Sequence, residues 1–189
     1  MSVPSQTALA ATSQLTLRRV VAVVLGAALV AAAAQVTGVI PGTPVPFTLQ
    51  PLAVLIVGGL LGPSLGASSL ILYLLLGAAG LPVFTPIGLP GAARLIGPTG
   101  GYLLAYPVAA YAVGRLAGDG TRTARVALAA LAGLVLIHLG GLAQLLILTG
   151  SAAQAARLGT LPFLAGDLGK LAIAVLVLRS SVSATRARL

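Results

Sequence analysis

The sequence contains no cysteine and no tryptophan among 189 residues, and it has only two acidic side chains, one histidine and one lysine. Without cysteine there are no disulfides, no thiolate nucleophiles and no thiolate metal sites. Two acidic residues and one imidazole do not make an ordinary transition-metal site. Charged residues amount to 7%, against about a quarter in soluble domains. Aromatic residues reach only 4%, so large rings are not what holds this chain together.

What is present is apolar. Hydrophobic residues make up 58% of the chain and the mean hydropathy is +1.10, which marks an integral membrane protein. Its length suits about five or six spans in one bundle. Abundant Ala and Gly predict helices that approach closely through small side chains. The net charge of +9 comes from arginines between apolar runs, a pattern of positive-inside flanks and anionic-lipid contact rather than of nucleic-acid binding.

Residues 1–17 read as a disordered cytoplasmic tail, and Val20 to Val39, after Arg18 and Arg19, as a retained first helix rather than a cleaved export signal. "GVIPGTPVPFTLQP" (Gly38 to Pro51), with four prolines and two glycines, is an ordered first loop. Leu52 to Leu61 and Ser64 to Gly80 are two apolar runs split at Gly62 and Pro63. Even from Thr48 the earlier run covers about 22 Å, short of a hydrocarbon core of about 30 Å, so it is a short or tilted span or half of a re-entrant hairpin. A third loop, Leu81 to Gly101, precedes a helix over about Tyr102 to Leu116. Helices over Val126 to Leu148 and Leu161 to Leu178 follow, joined by a polar loop over 149–160, and 181–189 form a basic cytoplasmic tail.

Placing the Arg18/Arg19 end, the 115–125 loop and the C-terminal tail in the cytoplasm puts eight of eleven basic residues inside, and six spans satisfy that arrangement. Asp167, Lys170, Arg94 and Arg157 then belong to the external half.

Asp167 and Lys170 share a helix face at i and i+3. They form either a self-neutralising pair or a polar ligand site that opens outward, with Lys170 meeting an anion and Asp167 accepting N–H donors. Arg94, beside Gly91 in the third loop, is either a plain loop charge or part of a lid. Gly62 to Gly66 reads G-x-S-x-G and a single His138 exists, so a membrane serine hydrolase is the reading from a different class. It requires Ser64 and His138 within hydrogen-bond reach, yet the topology puts Ser64 at the cytoplasmic turn and His138 about 18 Å along its helix from that side. "GDLGKL" lacks the glycine and hydroxyl of an ATP-binding P-loop. His138 and Gln144 are expected to make interhelical hydrogen bonds. Ala27 and Ala31, like Ala28 and Ala32, recur at four-residue spacing, for packing within the bundle or for docking a partner.

Four blocks together, "PVPFTLQPLAVLIVGGLLGP" (Pro44 to Pro63), "LYLLLGAAGLPVF" (Leu72 to Phe84), "GPTGGYLLAYPVAAY" (Gly97 to Tyr111) and "LPFLAGDLGK" (Leu161 to Lys170), resemble the BioY family, the biotin-binding S components of energy-coupling factor (ECF) transporters. The resemblance spans about residues 20 to 180. It implies an all-α membrane protein, a bundle of six transmembrane helices whose external loops 1 and 3 cap an outward-facing pocket, in the cytoplasmic membrane with both termini inside. It implies biotin as the ligand, no cofactor and no enzymatic activity. The implied partners are a membrane coupling (T) subunit and two cytoplasmic ATPases. Asp167 and Lys170 match the family's ligand-holding pair, and Gly91 and Arg94 lie where third-loop contacts are expected. Gln50 lies in the first block, and Phe47, Tyr73 and Phe84 are candidate pocket-lining residues. Ala27 and Ala31 match its docking motif on the first helix. Another vitamin as ligand is the nearest alternative.

Overall fold

The computed structural model describes residues 6–189, with side chains from Gln14 onward. The chain is predominantly helical: α1 (Gln6–Gln35), α2 (Gln50–Leu61), α3 (Pro63–Ala78), α4 (Ala93–Ile96), α5 (Gly100–Leu116), α6 (Thr123–Thr149), α7 (Ala152–Gly159) and α8 (Leu164–Arg186), with a 3-10 turn at Leu161–Phe163. Between α1 and α2, a two-residue antiparallel pair, β1 (Thr37–Gly38) and β2 (Phe47–Thr48), closes the first loop, with Thr37 opposite Thr48 and Gly38 opposite Phe47.

Among the described residues, three helical stretches are long and apolar enough to cross a bilayer: Gln14–Gln35, Thr123–Thr149 and Ala152–Arg186. The outside of the bundle is apolar as well. Ile147 is 78% and Leu176 71% exposed, an arrangement stable against lipid and not against water.

The short helix α2 occupies the middle and touches α1, α3, α5, α6 and α8. At about 1.5 Å per residue its 12 residues rise only about 18 Å. It ends at Gly62, whose φ of +81° lets the chain reverse without a Cβ penalty, and Pro63 starts α3 at the helix position that tolerates it. Close approach then requires glycine where α5 crosses this turn. A Cβ at Gly114 would lie 2.5 Å from the Gly62 carbonyl carbon and from Pro63 N, and one at Gly58 would strike the Ala110 backbone.

One end of the bundle gathers arginines that cap helix C-termini, whose last carbonyls lack intrahelical donors. Arg186 donates to Gly59 O (2.6 Å), Gly114 O (2.9 Å) and Gly118 O (2.8 Å), and Arg125 donates to Leu116 O. The opposite end carries the two long loops and α7.

Several expected boundaries differ. Most of the 1–17 segment, expected as a disordered tail, is helical from Gln6, because Gln, Ala and Leu there are strong helix formers; residues 1–5 lie outside the described residues. The 181–189 tail is helical through Arg186, held by that side chain's carbonyl contacts. The 149–160 loop contains α7, with Ser151 Oγ accepting from Gln154 N at its start.

Candidate functional site

At the loop-rich end, side chains from the first and third loops, α5, α6, the 3-10 turn and α8 surround a narrow cavity of about 50 Å3. Because α2 is short, its N-terminal Gln50 opens into this space rather than reaching the bundle surface. Apolar walls come from Val45, Phe84, Leu103, Ile137 and Phe163.

The polar wall is built on α8. The turn at Leu161–Phe163 starts the helix early enough to place Asp167 in the first turn of α8, and both Asp167 (3% exposed) and Lys170 (4%) point inward. Lys170 Nζ lies 2.8 Å from Asp167 Oδ1, while His138 Nε2 of α6 lies 2.7 Å from Oδ2. A hydrogen bond of 3.3 Å joins His138 Nδ1 to the Thr160 hydroxyl. Phe47 lies under the Lys170 ammonium at 3.9 Å from its ring centroid, a cation–π contact in a dry setting. The pair therefore neutralises itself and also lines the cavity.

On the facing wall, Gln50 Nε2 donates to the Tyr73 hydroxyl (2.7 Å), and Thr48 Oγ1 donates to Gln50 Oε1 (3.3 Å). Tyr73 is fully buried behind Gln50, edge-on to Phe84 at 5.4 Å, and does not line the cavity.

Arg94 is buried at 5% exposure. Its Nε donates to Leu89 O (2.6 Å), Nη1 to Thr85 Oγ1 (2.5 Å) and Ile87 O (2.7 Å), and Nη2 to Thr85 O (2.8 Å). Four of its five N–H donors thus organise the third loop, leaving one for the cavity that it also lines. Gly91 faces a separate depression outside that loop.

Of the residues singled out from the sequence, the structure brings Asp167, Lys170, Arg94, Gln50 and Phe84 to one cavity. It sets Phe47 over Lys170, Tyr73 behind Gln50, and Gly91 on the far side of the loop. Ala27 is 3% exposed and packs in the core, with Ala31 half-buried beside it. Lying on the inner face of α1, they leave Ala28 and Ala32 as the exposed small-residue pair. Gln144 donates to Ile96 O (3.0 Å), the expected link between elements.

Sequence reasoning left Thr48, Thr85, Tyr102, Tyr106 and His138 out of the pocket. For His138 a signal existed: it is the sole histidine, one of very few ionisable groups at membrane depth, and such groups seek each other. The hydrolase arrangement is absent. Ser64 sits in the first turn of α3, near Gly62, where an added Cβ would lie 3.8 Å from Arg186 Nε. Arg186 is 19 residues along α8 from Asp167, or about 28 Å, so Ser64 and His138 lie at opposite ends.

The BioY family model matches residues 6–187. A probable biotin transporter BioY of Pyrococcus horikoshii is 42% identical over 134 residues, covering 71% of this chain and 78% of that protein. The biotin transporter BioY of Thermotoga maritima is 39% identical over 138 residues, covering 73% and 81%. The crystal structure of the S-component for biotin from an ECF-type ABC transporter superposes with a TM-score of 0.79 at 26% identity, covering 87% of this chain and 90% of that one. With a match spanning nearly all of its described residues and this polar cavity at its loop-rich end, the chain belongs to the BioY family.

Proposed function

We propose that this chain is the substrate-specific S component of an ECF-type transporter, that it takes up biotin, and that the cavity between the loops and α8 is where biotin binds. It acts as a transport protein rather than an enzyme. The observation that carries the site is the buried Asp167–Lys170 pair, joined by His138, on the wall of an otherwise apolar cavity.

Biotin presents a carboxylate, a ureido group and an apolar bicycle. A mostly apolar pocket with a few placed polar groups suits such a ligand. Lys170 offers N–H donors to anionic or carbonyl oxygens, and the Asp167 oxygens accept ureido N–H groups or orient Lys170. Gln50 and the remaining N–H of Arg94 supply polar contacts on the opposite wall. Phe84 and Phe163 supply apolar surface, and Phe47 backs the Lys170 ammonium. The first loop is anchored on α7 by the Thr43 hydroxyl, which donates to Leu158 O at 2.5 Å, and together with the third loop it caps the site.

The chain lies in the cytoplasmic membrane with six crossings, its arginine-rich end and both termini inside and the cavity opening outward. This follows the positive-inside rule. No ATP-binding loop occurs in the sequence, so any ATP-driven step falls to partners, a membrane coupling subunit and two ATPases. The exposed Ala28 and Ala32 on α1 offer the close-packing surface for the coupling subunit.

Equilibrium binding of biotin to the purified chain tests the site. Asp167→Asn and Lys170→Ala should each weaken binding at least about tenfold, because truncating one partner of a buried charge pair leaves the other unpaired. Wild-type affinity in both variants would remove the site from α8. Competition by other vitamins of similar size separates biotin from the alternative ligands.

A further inference from the structure

We infer that His138 is a positioning residue, which locks the Asp167 carboxylate in its ligand-accepting orientation and so sets the affinity of the pocket for biotin; this rests on the biotin reading above. Lys170 is on the same helix as Asp167, one turn away, and on its own leaves the carboxylate free to turn about its last torsion. His138 comes from a different helix and takes the other oxygen. With Lys170 on Oδ1 (2.8 Å) and His138 on Oδ2 (2.7 Å), the carboxylate plane is held from two sides. The second lone pair of each oxygen is left for the cavity.

The imidazole is itself fixed. A carboxylate only accepts, so Nε2 carries a proton, and Nδ1 shares a hydrogen bond with the Thr160 hydroxyl at 3.3 Å. Tyr102 of α5 packs edge-on against the ring at 6.1 Å between centroids. Its hydroxyl donates to Gly159 O at 2.6 Å, next to Thr160, so α5, α6, the end of α7 and α8 converge on one side chain. His138 thereby adds a second donor to the carboxylate from a different helix. A polar group held in place before the ligand arrives spares the ordering cost of binding.

Glutamine places an N–H donor near the Nε2 position, whereas asparagine reaches only as far as Nδ1 and leucine donates nothing. Biotin affinity and ligand-free melting temperature should be measured for the full chain and for His138→Gln, His138→Asn and His138→Leu. Glutamine should restore most of the affinity. Asparagine and leucine should weaken it at least about tenfold with melting temperatures close to wild type. Wild-type affinity in the asparagine or leucine variant overturns the inference, as does equal weakening in all three. The asparagine variant keeps the test decisive if leucine does not fold. Because the chain has one histidine, a 15N imidazole spectrum of the ligand-free protein gives a readout independent of biotin. It should show Nε2 protonated, and an Nδ1–H form with Nε2 bare in wild type also overturns the inference. Absence of biotin binding by the wild type, with the Nε2–H form intact, instead overturns the biotin reading and leaves the positioning geometry standing.

Discussion

Arg94 shows how one side chain fixes a loop without any helix or sheet to support it. Three carbonyls, of Thr85, Ile87 and Leu89, converge on one guanidinium, and its flat fork reaches all of them together. Burial lowers the pKa of this arginine below its usual value, but its contacts to oxygen keep it a donor throughout the working range. An ammonium cannot span the same three acceptors. Arg94→Lys therefore leaves buried carbonyls unpaired, at about 1–3 kcal/mol for each one lost. The expected outcome is faster amide hydrogen exchange over residues 85–94 in the ligand-free protein, together with weaker biotin binding. If affinity falls while exchange stays at the wild-type rate, Arg94 acts on the ligand through its one remaining N–H and not through the loop.

At the scale of elements, the central position of the short α2 decides where the cavity can be. A helix that stops part-way leaves the remaining depth to irregular backbone, which membranes tolerate only where it is covered by protein or lines a cavity. The first loop and Gln50 meet that condition here. This arrangement depends on α5 pressing against the Gly62 turn, so Gly114→Ala, whose new Cβ would meet backbone at 2.5 Å, should cost about 1–3 kcal/mol. Gly169 on α8 is exposed, with nothing within 4 Å of an added Cβ, and Gly169→Ala should be neutral or stabilise by up to about 1 kcal/mol. Melting temperatures that shift alike in the two variants would contradict the close-approach account. The short span was legible in the sequence from its length and from the Gly62–Pro63 break, and the inward face of Asp167 and Lys170 from their spacing. The face of α1 was not legible. Ala27/Ala31 and Ala28/Ala32 have the same spacing, and in a helix apolar all round nothing local says which pair meets protein. Nor was the His138–Asp167 contact, because it joins residues 29 apart in sequence through a crossing of α6 and α8 that depends on the whole bundle. The positions of Tyr73 and Gly91 relative to the cavity were not legible for the same reason, since depth behind a wall is a tertiary property.

For the whole molecule, the separation of an arginine-rich end from a loop-rich end predicts its orientation in the membrane. α6 carries the argument: its 27 residues rise about 40 Å, more than the hydrocarbon core of about 30 Å. Residues just before and just after it must therefore lie on opposite sides of the membrane. Thr121 precedes α6, with its hydroxyl and backbone N–H both donating to Asp119, and these contacts hold the Asp119 carboxyl below its usual pKa. Gln154, exposed on α7, follows α6. Because the chain has no cysteine, Thr121→Cys and Gln154→Cys each introduce a single thiol against no background. A membrane-impermeant maleimide applied to intact cells should label Gln154→Cys at once and Thr121→Cys only after the membrane is opened. The reverse pattern would turn the cavity inward and rule out capture from outside. Labelling of both in intact cells would mean that α6 does not cross, and would remove the basis for six spans.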